Sequence, residues 1–263
     1  EDRLGRALFV RAKGRVRLSE TGKRLLPAIS GAFGAMGDAF AALGNDETDV
    51  LTISAMTTFG GTWLSARIGG FQLAYPDLAV RMLMNNDLVD FNATNVDVAI
   101  RVGLGGWSGL RADFLYRSHV TPICAPGFLD VNHIASPADL LKVDRLAPND
   151  PWWAGWFAAA GVATVPPPQR SGIELDSQLQ EASAVQSGYG IAMMTPLLWR
   201  AELDTGRLVQ PFDTLFLPGT AHYLVHRENR VGVRKIERFR EWLRAELAKD
   251  RHLLPEALWL PLP

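Results

Sequence analysis

Six large apolar residues recur near the start of the chain at alternating steps of three and four. They are Leu26, Ile29, Phe33, Met36, Phe40 and Leu43. On a helix this spacing puts all six on one narrow stripe, which is the arrangement required where two helices meet along a seam. Such a stripe is too narrow to surround a globular core. It therefore predicts a long helix over 19–46 that packs against a second chain.

A basic hairpin is predicted just before this helix. Two apolar segments, 8–11 and 16–18, flank a turn at Ala12-Lys13-Gly14. Residues 1–24 hold eight Lys or Arg against three acidic residues, a surplus of five, although the whole chain has a formal net charge of −1. A basic end on a mildly acidic body predicts a local surface that binds a polyanion.

The composition excludes several classes of protein. Cys124 is the single cysteine, so an internal disulfide and a thiolate zinc site are both excluded. No apolar run reaches the roughly 18–20 residues of a membrane span, and the first residues lack the apolar core of a signal peptide. We expect a cytoplasmic protein that does not contact a membrane.

From Val50 onward the sequence pattern alternates between strands and helices. Strands are predicted at 50–55, 78–84, 96–102 and 116–125, and amphipathic helices at 57–74 and 231–248. This alternation predicts an α/β body with mainly parallel sheets covered by helices. About 200 residues follow the hinge at 44–46, which is enough for two lobes.

Catalytic and cofactor motifs are missing from the sequence. The glycines of 103–109 fail the dinucleotide pattern at Ser108, and a loop is the better interpretation. His222 and His226 lie in a predicted strand, where four residues separate them by roughly 13 Å, too far for one metal ion. We expect neither an enzyme nor a protein with a cofactor or metal.

Two predicted helix starts could hold a ligand. Thr57 and Thr58 follow the first strand of the body, and Asp176-Ser177-Gln178 repeat the arrangement in its second half. Hydroxyls and unpaired N–H groups at a helix start suit a carboxylate or another anion. The alternative is that a threonine merely caps its helix, and the sequence leaves both possibilities open.

Several segments resemble LysR-type transcriptional regulators. Residues 3–11 (RLGRALFVR) and 16–22 (VRLSETG) resemble the wing and the start of the linker helix. Residues 96–103 (VDVAIRVG), 153–156 (WAGW) and 186–192 (QSGYGIA) are similar to the branch that contains glycine-cleavage activators and β-lactamase regulators. The resemblance runs in order from residue 1 to about 249.

The family implies a winged helix-turn-helix, a dimerisation helix and a two-lobed effector-binding domain like a periplasmic binding protein. The corresponding ranges are 1–18 for the end of the recognition helix and the wing, 19–46 for the linker helix and 47–263 for the effector domain. Lobe I would comprise about 47–123 and 220–250, and lobe II about 124–219. Only the last turn of the DNA-reading helix, 1–4, is expected within this sequence.

The resemblance also implies site residues. Thr57, Thr58, Asp90, Asp176, Ser177, Gln178, and His222 or Tyr223 would lie at the inducer cleft. Arg101 would pair with an acidic group of the ligand or form a structural salt bridge. Arg11, Lys13, Arg15 and Arg17 of the wing would contact phosphates, which position a protein on DNA without specifying sequence.

The resulting hypothesis is a transcriptional regulator controlled by a small polar, anionic inducer bound between the lobes. Its partners would be promoter DNA in the full-length protein, RNA polymerase and further copies of itself in a dimer or tetramer. The alternative is a solute-binding protein of a transport system, which shares the two-lobed body but leaves the basic hairpin and the apolar stripe unexplained.

Overall fold

The structure is a computed structural model. It describes residues 1, 4–12, 15–26, 28, 29, 32, 36, 50–163 and 173–262, with the backbone alone described at 11, 12 and 15. Among the described residues, no helix is long and apolar enough to cross a membrane.

The predicted hairpin is confirmed. Strand β1 (Phe9–Ala12) pairs antiparallel with β2 (Arg15–Leu18), with Phe9 opposite Leu18 and Ala12 opposite Arg15. The Ser19 hydroxyl then accepts a hydrogen bond from the Gly22 N–H at 3.0 Å, as expected of a residue that caps a helix. Helical backbone follows at 20–26, which we call α1, and at 28, 29, 32 and 36.

A five-stranded sheet forms the centre of lobe I. Its strands are β3 (Val50–Ala55), β4 (Ala79–Met84), β5 (Val98–Gly103), β6 (Leu110–Arg117) and β9 (Ala221–Arg227), in the order β4-β3-β5-β9-β6. Strand β3 runs parallel to β4 and β5, and β9 runs antiparallel to β5 and β6. The carboxyl ends of β3, β4 and β5 therefore lie along one edge, where an α/β sheet usually binds its ligand.

Three helices cover one face of this sheet. Helix α2 (Thr57–Phe59) continues into a π-helical turn (Gly60–Leu64), and α3 (Ile68–Ala74) follows. Helix α8 (Arg234–Lys249) carries its buried residues Ile236, Phe239, Leu243 and Leu247 at steps of three and four, so one face meets the core. The predicted helix over 57–74 is thus interrupted by the π-turn and by residues 65–67.

Lobe II is built around a two-stranded sheet. Strand β7 (Thr121–Ile123) pairs antiparallel with β8 (Ala192–Met194). Its helices are α4 (Pro126–Asn132), α5 (Pro151–Ala159), α6 (Gln178–Gln186) and α7 (Arg200–Asp204). Short 3-10 turns occur in this lobe at Pro137–Leu141 and Pro196–Trp199, and elsewhere at Glu228–Arg230, Arg251–Leu253 and Glu256–Trp259.

The predicted long strand over 116–125 is wrong. Strand β6 ends at Arg117 and β7 begins at Thr121, because the chain crosses between the lobes at 118–120. There the Ser118 N–H donates to the carbonyl of Thr220, on the returning crossover, at 2.8 Å. Beyond this crossing, β7 pairs with β8.

A buried ion cluster anchors α8 to the sheet. The carboxylate of Asp97, 5% exposed, lies 2.8 Å from the ammonium of Lys235 and 3.2 Å from the guanidinium of Arg230. It also accepts the N–H of Thr52 at 2.9 Å, while Lys235 donates to the carbonyl of Val50 at 2.9 Å. These bonds join the start of α8 to β3 and to the residue just before β5.

Removing the carboxylate of Asp97 should destabilise the fold, because Lys235 would remain buried without a counter-charge. We expect Asp97→Ala to lower the free energy of unfolding by about 3–5 kcal/mol in urea titrations. The control Asp77→Ala removes an exposed carboxylate that pairs with Arg238 and should cost much less. Adding Lys235→Met to Asp97→Ala should recover part of the loss. A double variant as unstable as the sum of the two single variants would contradict this account.

Candidate functional site: the cleft between the lobes

The cleft begins where β3 and β4 end. Met56 is the N-cap residue of α2, and its side chain makes no cap bond. The N–H of Thr57 instead donates to the side-chain oxygen of Asn86, in the loop after β4, at 3.1 Å. Neither threonine caps the helix, because this asparagine takes that role. In the described part of the chain, the half-buried hydroxyl of Thr58 has no hydrogen-bond partner.

The facing wall is the start of α6. Ser177 is its N-cap residue, and its half-buried hydroxyl makes no cap bond. Residues 173–177, the described residues directly before this helix, adopt irregular backbone and do not form the expected strand. A Cβ added to Gly61, in the π-turn, would lie 3.1 Å from Cδ2 of Leu179 in α6. The helix starts predicted from the sequence therefore meet across the cleft.

Gln178 fixes α6 and does not face a ligand. Its side-chain oxygen accepts the N–H of Thr195 at 2.9 Å and the indole N–H of Trp199 at 3.4 Å. Its side-chain nitrogen donates to the hydroxyl of Thr195 at 3.2 Å. Asp176, two residues earlier and exposed, accepts a hydrogen bond at its backbone carbonyl from the Asn86 side chain at 3.3 Å.

Arg101 lies beneath the edge of the cleft. Its guanidinium makes five hydrogen bonds at 2.7–3.2 Å, which use all five of its donors. The acceptors are the carbonyls of Ser54, Asp87 and Ile100, the hydroxyl of Ser54 and the side-chain oxygen of Asn85. In this arrangement Arg101 has no donor left for a ligand. Arg101 therefore positions the cleft edge and does not contact a ligand directly.

The charge of Arg101 is not compensated by a salt bridge. The side chain is 5% exposed, and within the described ranges no carboxylate oxygen lies within 4 Å of it. Burial lowers the pKa of the guanidinium, and the nearby charge of Asp87 partly opposes this effect. Because the group stays protonated, it contributes positive potential at the floor of the cleft.

His222 and Tyr223 point to opposite faces of β9, as neighbouring residues of a strand must. The His222 ring stacks on Tyr116 with 4.3 Å between ring centroids. The Tyr223 hydroxyl donates to the carbonyl of Leu104 at 3.3 Å, on the face where its ring meets Trp107 edge-on. Both are core residues, and they do not join Thr58 and Ser177 at the cleft wall.

Asp90 lies at a different concavity. One carboxylate oxygen accepts the N–H groups of Asn92 and Ala93, which forms a tight turn. The turn borders a cavity of about 650 Å³ lined by 89–92, 108–110 and 227–229. Residue 110 begins β6 and residue 227 ends β9. This cavity therefore lies at the end of the sheet opposite to the carboxyl ends of β3, β4 and β5, where the cleft is. The expected position of Asp90 at the cleft mouth is therefore wrong.

Sequence reasoning missed Asn85 and Asn86. They follow β4 at the same sheet edge as Thr57, and the side chains of both are hydrogen-bonded there. The signal in the sequence was a pair of asparagines directly after a predicted strand, since polar residues at the carboxyl ends of such strands face the ligand crevice. In the part of the chain described, no group of three His, Cys, Asp or Glu side chains is placed to hold a metal ion.

The amino-terminal candidates are only partly within the described residues. Arg17 is exposed on the hairpin, the side chains of Arg11 and Arg15 are not described, and Lys13 lies outside the described residues. On the stripe, Leu26, Ile29 and Met36 are 48%, 43% and 54% exposed. Phe33, Phe40 and Leu43 lie outside the described residues.

The two lobes and the polar cleft between them define the class of two-lobed effector-binding domains. Residues 44–248 match the model of the LysR substrate binding domain. The HTH-type transcriptional activator AmpR of Rhodobacter capsulatus is 34% identical over 251 residues, 95% of this chain and 85% of that protein. The glycine cleavage system transcriptional activator of Escherichia coli K12 is 31% identical over 256 residues, 95% of this chain and 83% of that protein.

A solved structure agrees with these matches. The effector domain of the transcriptional regulator AmpR of Pseudomonas aeruginosa superimposes with a TM-score of 0.68 at 31% identity, covering 78% of this chain and 98% of that domain. The chain belongs to the LysR family of transcriptional regulators. The family and fold predicted from the sequence are confirmed, and the alternative of a transport solute-binding protein is set aside because the named relatives are transcriptional activators.

Acid should destabilise the protein through His222. Burial, and secondarily the charge of His119, lowers the pKa of His222 from 6.5 to about 3. Between these two pH values the unfolded chain binds a proton that the folded chain does not. The stability is therefore full above pH 6.5 and falls as the pH drops toward 3, by up to about 1.4 kcal/mol per pH unit.

The variant His222→Phe keeps an aromatic ring on Tyr116 and removes the titrating group. Urea unfolding followed by circular dichroism should show a shallower loss of stability between pH 6.5 and pH 5 than in the parent. An equally steep loss in the variant would remove His222 as a cause of acid sensitivity.

Proposed function

We propose that this regulator binds a small polar, anionic ligand in the cleft between the lobes. The observation that supports the proposal is the close approach of two helix starts from opposite lobes, where Gly61 lies against Leu179. Thr58 and Ser177 lie at these helix starts, and within the described residues their hydroxyls make no hydrogen bond. The buried charge of Arg101 below them, which forms no salt bridge within the described residues, favours an anion. Ligand binding at this position would bias the angle between the lobes, since a ligand shifts a conformational equilibrium by its differential affinity.

We further propose that the hairpin positions the protein on promoter DNA. Arg17 is exposed on β2, and Arg11 and Arg15 belong to the same two strands. Such basic side chains neutralise phosphates, so this contact would be strongly dependent on salt and indifferent to sequence. The same proposal includes contact with RNA polymerase and function in the cytoplasm. It also includes the division of the chain into wing (1–18), linker helix (19–46) and effector domain (47–263). These parts of the proposal rest on the family resemblance.

The ligand proposal is tested with a ligand found by a thermal-shift screen of amino acids and small carboxylates. A hydrogen bond to a charged group contributes about 1.5–3 kcal/mol, so Thr58→Val and Ser177→Ala should each weaken binding by roughly tenfold or more in calorimetry. The control Ser183→Ala removes an exposed hydroxyl from the same helix, two turns away, and should leave affinity unchanged. Unchanged affinity in both cleft variants would reject this site.

We also propose that the apolar stripe at Leu26, Ile29 and Met36 joins two copies of the chain. Leu26, Ile29 and Met36 are large apolar side chains left about half exposed, and burying them against an identical helix removes apolar surface from water. The double variant Ile29→Glu and Met36→Glu should split the helix-mediated dimer in sedimentation velocity, because like charges would face one another in the seam. The control Glu20→Gln and Arg24→Gln alters the same helix off the stripe and should leave assembly intact. Unchanged assembly in the stripe variant would contradict the proposal.

A further inference from the structure

The side chain of Asn86 bridges the two walls of the cleft. Its oxygen accepts the N–H of Thr57 in lobe I at 3.1 Å, and its nitrogen donates to the carbonyl of Asp176 in lobe II at 3.3 Å. A single amide group thus makes one bond to each helix start. Both partners are backbone atoms, so neither can turn away by a change of rotamer.

On the lobe I side, the loop that carries Asn86 is held by Arg101. The guanidinium of Arg101 donates to the side chain of Asn85 at 2.9 Å and to the carbonyl of Asp87 at 3.1 Å. The residues on both sides of Asn86 are therefore bonded to one buried cation. The same cation bonds to Ser54 at the end of β3, so the loop and β3 form one rigid edge.

On the lobe II side, the helix start that follows Asp176 is held by Gln178. The side-chain amide of Gln178 bonds to both the N–H and the hydroxyl of Thr195, directly after β8. The start of α6 is thereby tied to the small sheet. The bridge made by Asn86 connects two rigid bodies, so breaking it changes the relation between the lobes and not merely the position of a loop.

The lobes also touch beside this bridge. Gly61 has no side chain, and Leu179 packs where its Cβ would be, 3.1 Å from the Leu179 Cδ2. The bare backbone in the π-turn allows the two helix starts to approach this closely. Together the contact and the bridge make a closed arrangement that needs no ligand atoms.

We propose that Asn86 is an intramolecular latch that favours lobe closure in the free protein. This inference rests on the proposed function, because the ligand would compete with the latch. A ligand atom that accepts the N–H of Thr57 displaces the side-chain oxygen of Asn86 and, with it, the bond to Asp176. One neutral hydrogen bond changes an equilibrium by only a small factor, so the latch biases the lobes without locking them.

The variant Asn86→Asp separates the two bonds of the latch. The aspartate retains an acceptor for the N–H of Thr57, but it loses the donor and turns a carboxylate oxygen toward the carbonyl of Asp176. We expect the ratio of open to closed lobes in the ligand-free protein to rise about three- to tenfold. The control Asn92→Asp adds the same charge to an exposed loop of lobe I away from the cleft, and it should leave the ratio unchanged.

The ratio is measured by double electron–electron resonance between spin labels on the two lobes. Leu73→Cys in α3 and Tyr189→Cys after α6 are suitable positions, since both side chains are exposed. The native Cys124 is buried, and burial raises the pKa of its thiol to about 12, so it should resist labelling. Labelled chains are mixed with an excess of unlabelled chains, so that distances within one chain dominate.

A second variant keeps the test decisive if Asn86→Asp lowers the melting temperature. Gly61→Ala places a methyl group against Leu179 and should shift the lobes toward the open state without altering charge. A distance distribution that Asn86→Asp leaves unchanged would overturn the latch, while a shift in Gly61→Ala shows that the labels report opening of the lobes. Because these measurements use no ligand, they can fail while the ligand test with Thr58→Val and Ser177→Ala succeeds, and the reverse also holds.

Discussion

The buried guanidinium of Arg101 organises the edge of the sheet from which the cleft is built. A charge in such a position is tolerated only when all its donors find acceptors. Here those acceptors come from β3, from β5 and from the loop after β4, three segments distant in sequence. Satisfying one cation therefore fixes three chain segments against one another. The cleft wall is a consequence of this requirement.

The hydrogen bonds of Arg101 and its positive charge have separate effects on the cleft. The hydrogen bonds of Arg101 are made within the protein, so they give rigidity to the loop that carries Asn86. Its positive charge is not cancelled by a carboxylate within 4 Å among the described residues, so the electrostatic field extends into the cleft. An anion bound above it would be attracted without direct contact. The ligand's orientation would then depend on neutral groups, such as hydroxyls and backbone N–H groups.

Rigidity elsewhere in the molecule supports this geometry. The cluster of Asp97, Lys235 and Arg230 joins α8 to the strands of lobe I, and Gln178 joins α6 to the sheet of lobe II. Each lobe is thus stiff up to the cleft. The crossovers at 118–120 and near Thr220 are bonded to each other. Changes in the angle between the lobes would be concentrated at those crossovers and at the contacts across the cleft.

The sequence by itself determined the fold class, the family, the hairpin and the positions of two helix starts. These features depend on local sequence pattern. The period of apolar residues, the capping serine at 19 and the family motifs can each be recognised in one short segment of the sequence. It also placed Thr58 and Ser177 correctly at helix starts, because residues that follow a strand or precede a helix can be recognised locally.

Only the tertiary structure decided which of the candidate residues meet. Asn86 contacts Thr57 and Asp176, residues 29 and 90 positions away, and no local pattern encodes such a contact. Side chains alternate between the two faces of β9, but the sequence does not show what covers each face. For this reason His222 and Tyr223 were predicted at the cleft, although both are packed in the core. Asp90 was misplaced for a related reason: its loop runs from one edge of the sheet to the other. Side-chain direction and loop path depend on packing between distant segments, and packing is a property of the folded chain.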